Sequence, residues 1–464
     1  MNTQDTICAI ATAQGGAIGV IRISGKDAIA ITDRIFTPVG KHPLPLSERK
    51  AYTMAFGHIR QDDGEIIDEV LIGLFKSPHS YTGEDCVEIS CHGSSFILQQ
   101  VMQLLIRKGC RAAGPGEFTQ RAFLNGKMDL SQAEAVADLI ASSSAATHRM
   151  AMNQMRGGFS RELSALRERL LHLTSLMELE LDFSDHEELE FADRSELETI
   201  AADIEKVISG LVRSFSVGNV LKNGIPVAIV GETNAGKSTL LNTLLNEEKA
   251  IVSDIHGTTR DVIEDTVNLS GITFRFIDTA GIRDTHDTIE NMGIARSFHK
   301  MEQAEIVLWV VDNTCAEAQI RQLSPRILPL CSNKQLIILL NKSDQVSAVP
   351  TKLSGLPENT VTLSISAKEK TGIQELQNLL VKTASVPELT SSDLIVTNVR
   401  HYEALSLALE DIHRVQNGLQ THLSGDFISQ DLRECLFHLA EIVGGEITAD
   451  EVLGNIFMKF CIGK

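Results

Sequence analysis

GETNAGKST, residues 231–239, follows directly on the apolar run VAIV (227–230) and leads into LLNTLLN (240–246). It matches the pattern G-x-x-x-x-G-K-[ST] at every position. A strand before it and a helix after it are the context in which such a loop cradles phosphate. Gly231 and Gly236 let the backbone bend so that its N–H groups converge on phosphate oxygens. Lys237 supplies a fixed positive charge, and Ser238 a hydroxyl for Mg²⁺. The stretch therefore predicts a nucleoside triphosphate site. It leaves two uses open: a switch acting on other proteins, or an engine inside an enzyme of different chemistry.

Outward from this loop, apolar strands (IPVAIV, ITFRFID, IVLWVVD, QLIILLN, TVTLSIS) alternate with helical stretches from Asn223 to about residue 380. That alternation predicts a parallel sheet covered on both faces. Three further elements stand at the ends of these strands. DTAG (278–281) places Asp278 to hold magnesium through water and the Gly281 N–H to meet a γ-phosphate, with Thr279 and Ala280 between them. In NKSD (341–344), with Asn341 and Lys342, the Asp344 carboxylate accepts from the N1–H and exocyclic amine of guanine, a donor pair adenine lacks. Ser366, Ala367 and Lys368 end the last strand, where backbone N–H groups meet the guanine oxygen. Together with Asn234, Ala235, Gly236, Lys237, Ser238 and Thr239 of the loop, these residues predict a GTP site. The position of the water-orienting glutamine of Ras-type enzymes is held by Ile282, which cannot do that work. Arg260 and Arg283 are candidates for a cation supplied in cis.

The flanks differ from this block. Residues 1–118 read as mixed α/β, with AIGVIRIS, EVLIGLF and DCVEISCH as short apolar runs between Gly and Pro. From Glu117 the texture turns helical. LSQAEAVADLIASSSAATHRMAMNQM is Ala-rich. After Gly157–Gly158, Leu163, Leu166, Leu170, Leu173, Leu176 and Leu181 predict one face of a long helix. Helical periodicity returns from about Asn398 to Lys464. The expected organisation is a multidomain chain: an α/β N-terminal domain (1–118), an all-α domain in two halves (119–220 and 383–464), and an inserted α/β P-loop domain (221–382).

At 464 residues the chain is too long for one core. Its net charge of −19 argues against a broad nucleic-acid-binding face, although five arginines against two glutamates between His148 and Arg169 make one local positive stretch. That stretch reads first as a solvated helix face and second as a contact for RNA or an acidic partner. The 8 cysteines include no CxxC pair, which predicts free thiols in a reducing cytoplasm. There is no basic-then-apolar leader and no apolar run of membrane-spanning length, so a cytoplasmic protein is expected.

GETNAGKS, IVSDIHGTTRD (251–261), DTAGIRD (278–284) and NKSD together resemble the Era-type GTPases, and within them the MnmE (TrmE) family of tRNA modification GTPases. The resemblance spans essentially the whole chain. It includes RISG (22–25), TGEDCVEISCHG (82–93), PGEFTQRAFLNGKMDLSQAEAVADLI (115–140) and the terminal FCIGK (460–464). It implies GTP hydrolysis that depends on K⁺ and on contact between two G domains. Asn234, Ser253, Ile255 and Thr258 would be the K⁺ ligands, Thr259 would join Ser238 on Mg²⁺, and Glu290 would position water as the catalytic partner of Lys237. One departure stands out, because Thr233 occupies a position that is usually Pro in that family.

The resemblance also implies an N-terminal domain like the folate-binding domains of one-carbon enzymes. It would dimerise and hold a 5,10-methylene or 5-formyl tetrahydrofolate through Arg22, Glu88, Lys127 and Lys464. Cys461 would be a nucleophile or acid beside the folate. His92 reads as a structural histidine. The implied function is the addition of a carboxymethylaminomethyl or aminomethyl group to the wobble uridine of tRNA, by a homodimer working with an FAD-dependent MnmG-type partner. An Era-like ribosome-assembly GTPase is the alternative. Such a protein would carry a basic RNA-binding appendage, and this chain has the wrong flanks and the wrong charge for one. A small GTPase switch with a helical effector arm fails to explain residues 1–118.

Overall fold

The computed structural model describes residues 5–13, 15–182, 194–248, 265–277, 301–346, 356–357, 360–384, 394–445, 460 and 463. The chain divides into two compact units, one of residues 1–141, 151–210 and 400–464, the other of 142–150 and 211–399.

In the first unit, β1 (Ile7–Ile10), β2 (Ile18–Ser24), β3 (Phe36–Pro38), β4 (Thr53–Arg60), β5 (Ile66–Phe75), β6 (Cys86–His92) and β7 (Arg111–Ala112) form one sheet. Its order is β3-β4-β5-β6-β2-β1-β7. Pairs are antiparallel except β1 with β7. The two-residue period of a strand sends Ile21, Ile23, Ala55, Ile59, Ile72, Leu74, Val87 and Ile89 into the core. There they meet α1 (Ala28–Asp33) and Leu98, Val101, Leu104 and Leu105 of α2 (Ser95–Arg107). Each of the Ile, Leu and Val side chains contributes roughly 1.5–3 kcal/mol on burial. Outward positions on this sheet include Met54, Phe56 and Leu71, which are exposed. That is why β4 escapes a reading of the sequence. Its outward Met54 and Phe56 are more apolar than its inward Ala55 and Gly57, so the alternation is inverted.

The helical stretch begins with α3 (Glu117–Leu124) and α4 (Leu130–Ala141). The Ala-rich segment is not one helix. It breaks at residues 142–144, and α5 (Ala145–Met155) starts again behind a reciprocal cap. The Thr147 N–H donates to Ser144 Oγ at 3.1 Å, and the Ser144 N–H donates to Thr147 Oγ1 at 3.1 Å. A serine that satisfies the free N–H groups of a first turn makes a helix start there. α6 (Gly158–Asp182) buries Leu163, Leu166, Leu170, Leu173 and Met177, while Leu176 is only half-buried. At about 100° per residue, position 177 returns to the face of Leu163 and Leu170 and position 176 does not. Leu181 lies outside the described side chains. α7 (Arg194–Asn223) buries Leu197, Ala201, Ile204 and Ile208 at the same helical spacing.

The second unit holds a sheet of β8 (Ile225–Val230), β9 (Asp265–Leu269), β10 (Ile272–Phe276), β11 (Ile306–Asp312), β12 (Gln335–Asn341) and β13 (Val361–Ser364), in the order β13-β12-β11-β8-β10-β9. The expected parallel pairing holds for five strands. The sheet as a whole is mixed, because β9 runs antiparallel to β10. Their connection, Ser270–Gly271, has φ of +52° and +85°, and Asn268 Oδ1 accepts from the Gly271 N–H at 3.0 Å. Two consecutive left-handed residues favour a tight hairpin.

Both faces of this sheet are covered. Val227, Ile229, Leu308, Val310 and Leu339 pack with Leu240, Leu241 and Leu244 of α8 (Lys237–Glu248). On the other face Ala228, Val230, Val307, Trp309 and Ile338 pack with Ile320 and Ile327 of α9 (Ala316–Ile327). α10 (Ile373–Thr383) closes the first face through Ile373, Leu376 and Leu380. The end of α7 is clasped to the segment that leads out of this unit. Ser214 Oγ accepts from the Val396 N–H at 3.0 Å, and a Cβ on Gly218 would lie 2.0 Å from the Val396 carbonyl oxygen.

The chain then returns to the first unit with α11 (Val399–Gln420) and α12 (Gly425–Val443). A buried charge cluster ties these helices to α4. Arg400 donates to both Glu134 oxygens at 3.0 and 2.9 Å, and to the carbonyls of Glu441 and Ile442 at 2.7 and 2.9 Å. His401 Nε2 stands 2.7 Å from Glu134 Oε2, and its ring stacks on Phe159. Arg400 thereby occupies the Ile442 carbonyl at the end of α12 and shares the Glu441 carbonyl with the Gly444 N–H that caps the helix.

Candidate functional site

The GETNAGKST loop bridges β8 and α8, so α8 presents its N-terminus at the carboxyl end of the sheet, where ligands of open α/β sheets bind. Three of its residues have left-handed or glycine-only backbone: Gly231 at φ +149°, Asn234 at +62° and Gly236 at +97°. The glycines are required sterically. A Cβ on Gly231 would lie 2.2 Å from the Val310 carbonyl oxygen, and one on Gly236 would lie 2.1 Å from Asn341 Nδ2. Asparagine tolerates the left-handed region, and the Asn234 side chain is exposed. Lys237 folds over its own loop, donating to the carbonyls of Gly231 at 3.0 Å and Glu232 at 2.7 Å. That places its ammonium against the cradle, as a phosphate-binding lysine requires.

Asn341 ties this loop to the other two recognition segments. Its Nδ2 donates to the Ala235 carbonyl at 2.8 Å, and its Oδ1 accepts from the Ala367 N–H at 3.0 Å. Asn341 is buried, 3% exposed, so both bonds are shielded from water. Thr243 of α8 reinforces the link by donating to the Ala367 carbonyl at 3.0 Å. Ser366 Oγ donates to Asp344 Oδ1 at 2.7 Å and orients that carboxylate. Lys342 holds φ of +64° and is pinned by Asp312 Oδ2 at 2.6 Å. Burial alone would raise the Asp312 carboxyl, but Lys342 and Thr314 outweigh it and hold it below the usual carboxylate range. Lys368 is exposed beside Glu369.

The structure thus brings together Asn234, Ala235, Gly236, Lys237, Ser238, Thr239, Asn341, Lys342, Asp344, Ser366 and Ala367. Ser253, Ile255, Thr258, Thr259, Asp278, Thr279, Ala280, Gly281 and Glu290 lie outside the described residues, as do Arg260, Ile282 and Arg283. Asp312 escaped the sequence reading. The signal for it was an acid closing the strand IVLWVVD, at the sheet end where polar function collects.

On the first unit, Arg22 of β2 and Glu88 of β6 are direct cross-strand partners. Arg22 Nε donates to Glu88 Oε1 at 2.9 Å, and its guanidinium lies 5.5 and 5.7 Å from the ring centres of Tyr81 and Phe118. Arg22 Nη1 also donates to the carbonyl of Gly463 at 3.4 Å, which brings the far end of the chain to this spot. Phe460 packs with Leu130 and Ala133. Lys127 donates to the Pro78 carbonyl at 3.0 Å. Cys461 and Lys464 lie outside the described residues. Beneath this spot Arg121, 3% exposed, binds the Asp5 carboxylate and backbone oxygen at 2.6 and 2.8 Å and reaches Glu84 and Glu117, each at 3.2 Å. Ser24 donates to Glu84 Oε2 at 2.7 Å. The RISG, TGED and PGEFTQR stretches therefore meet in one polar network, a role the sequence did not disclose.

His92 is exposed and bonded to Asp68 at 2.8 Å. Arg149, Arg156, Arg161, Arg167 and Arg169 are all exposed. The described cysteines are free thiols. Among the described residues no cluster of three or more metal-binding side chains occurs, and no helix is long and apolar enough to cross a membrane.

A largely parallel sheet with GxxxxGKS, NKSD and SAK gathered at one end defines a P-loop GTPase. The family profile described as MnmE helical domain matches residues 130–461, and that described as GTP-binding protein TrmE N-terminus matches residues 6–127. The chain belongs to the MnmE (TrmE) family of tRNA modification GTPases. It is 66% identical over 467 residues to the tRNA modification GTPase MnmE of Bacteroides thetaiotaomicron, covering 99% of this chain and 100% of that one. It is 52% identical over 473 residues to that of Flavobacterium johnsoniae, covering 100% of both. A solved structure of Era from Aquifex aeolicus is 28% identical, covers 40% of this chain and 65% of its own, and aligns with a TM-score of 0.27. The Era relation is distant and carries no argument for function. The protein is a GTP hydrolase of tRNA modification.

Proposed function

We propose that this chain is the GTP-hydrolysing component of an enzyme that adds a carboxymethylaminomethyl or aminomethyl group at carbon 5 of the tRNA wobble uridine. It works in the cytoplasm as a homodimer with an FAD-dependent MnmG-type partner. Residues 221–382 are the GTPase module, 1–118 the folate-binding and dimerising domain, and 119–220 with 383–464 the helical domain. In the nucleotide site Lys237 meets the phosphates and Ser238 and Thr259 hold Mg²⁺. Asp278 and Gly281 contact the metal shell and γ-phosphate, Asp344 reads guanine, and Glu290 orients water. Asn234, Ser253, Ile255 and Thr258 hold K⁺, whose charge offsets the negative charge that develops on the phosphate oxygens in transfer. The left-handed, solvent-facing Asn234 supports its part in that set.

Arg22, Glu88, Lys127 and Lys464 bind the tetrahydrofolate derivative, with Cys461 beside it. A pterin edge offers amide-like donors to a carboxylate such as Glu88, and the glutamate tail of a folate calls for cations. The observation that carries this part of the reading is the Arg22–Glu88 pair flanked by two aromatic rings and reached by Gly463 from the other end of the chain. The exposed Met54, Phe56 and Leu71 on the same sheet support a second copy as partner. Calorimetric titration of the full chain with 5-formyl tetrahydrofolate is expected to show binding, weakened about 10-fold or more by Arg22→Ala. An unmodified chain that gives no heat of binding contradicts the folate assignment.

A further inference from the structure

The phosphate loop carries a carboxylate of its own. Glu232 follows Gly231 directly, and any polyanion seated on the loop repels it. The structure gives that carboxylate a neutral donor from a distant element. Gln319 of α9, 87 residues away, donates its Nε2 to Glu232 Oε2 at 2.8 Å. Gln319 is itself buried, and its other end is fixed, because its Oε1 accepts from the Asp312 N–H at 2.9 Å. Asp312 closes β11 and holds Lys342 of NKSD. Gly231 is referenced to the same strand through its close approach to the Val310 carbonyl. Both opening residues of the loop are therefore registered on β11, one by sterics and one by Gln319.

We propose that Gln319 is a positioning residue for GTP binding: it holds the Glu232 carboxylate aside, so that the loop's N–H groups and Lys237 face the phosphates. Glutamine suits this task. Its amide accepts from β11 and donates to the carboxylate at once, which Lys and Arg cannot do because they have no acceptor. Being neutral, it offers no competing cation to the phosphates.

The proposal rests on residues 231–239 being the phosphate site. Lys237→Ala tests that separately, since a protein that binds GDP as well as the unmodified chain after this change would sink the site itself. For Gln319, the Kd of the full chain for GDP in Mg²⁺ is measured with Q319L and with Q319L in an E232Q background. Q319L is expected to weaken binding roughly 10-fold alone and less than about 2-fold when Glu232 is already neutral. An unchanged Kd in Q319L, or the same loss in both backgrounds, overturns the proposal. Should Q319L not fold, the exchanged pair serves instead. Q319E sets two carboxylates against each other and weakens binding, whereas in E232Q/Q319E the amide of residue 232 donates to the carboxylate of residue 319 and binding recovers. Failure of the exchange to recover affinity also overturns it.

Discussion

Asn341→Ala is expected to raise the Kd for GTP by about 100-fold or more. The side chain is buried, and it supplies a donor to the Ala235 carbonyl and an acceptor for the Ala367 N–H. Truncation leaves two backbone groups without partners, each costing about 1–3 kcal/mol. Their sum, roughly 3 kcal/mol, corresponds to a factor of order 100 in affinity. The cost falls on nucleotide binding because the two groups belong to the phosphate loop and the guanine loop, whose spacing has to match one ligand. Equilibrium titration with a fluorescent GTP analogue measures it. A change below about 3-fold would mean that the loops keep their spacing without Asn341.

The second large effect lies in the first unit. Burial alone would raise the Glu134 carboxyl, but His401 and then Arg400 reverse this and hold it at about 2. The fall from the ordinary 4.5 corresponds to roughly 3 kcal/mol of stabilisation. The folded-state value is depressed, so this contribution is fully present above about pH 4.5 and is lost as the pH falls toward 2. Glu134→Gln removes the carboxylate while Arg400 and His401 remain in a buried setting, and such unpairing typically costs about 3 kcal/mol or more. Calorimetry of both proteins between pH 7 and pH 3 is expected to show the variant melting several degrees lower at pH 7. The gap should narrow below pH 4.5. A gap that is constant with pH would place the cost in packing rather than in charge.

The described part of the candidate nucleotide site was legible because its strings are short and contiguous and stand at strand ends, where residue type and local backbone already carry the chemistry. The clamp formed by Asn341 across 106 and 26 residues was not legible, and neither was the Gln319 bond to Glu232. Their meaning depends on which strands become neighbours. The mixed character of the sheet was missed for a similar reason. β9 has only Val267 and Leu269 as buried apolar residues, too few to stand out beside the apolar strands around it. The break between α4 and α5 was encoded locally in Ser144 and Thr147, but a run of serines reads as weak helix unless its capping bonds are considered. On the N-terminal sheet, Arg22 and Glu88 were singled out through family resemblance. The buried Arg121 beneath them was not, since nothing in PGEFTQR tells a surface arginine from one enclosed by Asp5, Glu84 and Glu117.

The proposed function rests on hydrolysis assisted by a monovalent cation. Ile282 stands where Ras-type enzymes place glutamine, and Asn234 of the loop is exposed with left-handed backbone. The direct measurement is the GTP turnover of the full chain in matched K⁺ and Na⁺ buffers, repeated with Asn234→Ala. Turnover is expected to be about 10-fold or more faster in K⁺, a factor within reach of one charge placed at the transferring phosphate, with loss of that advantage in the variant. Equal rates in the two buffers would contradict it.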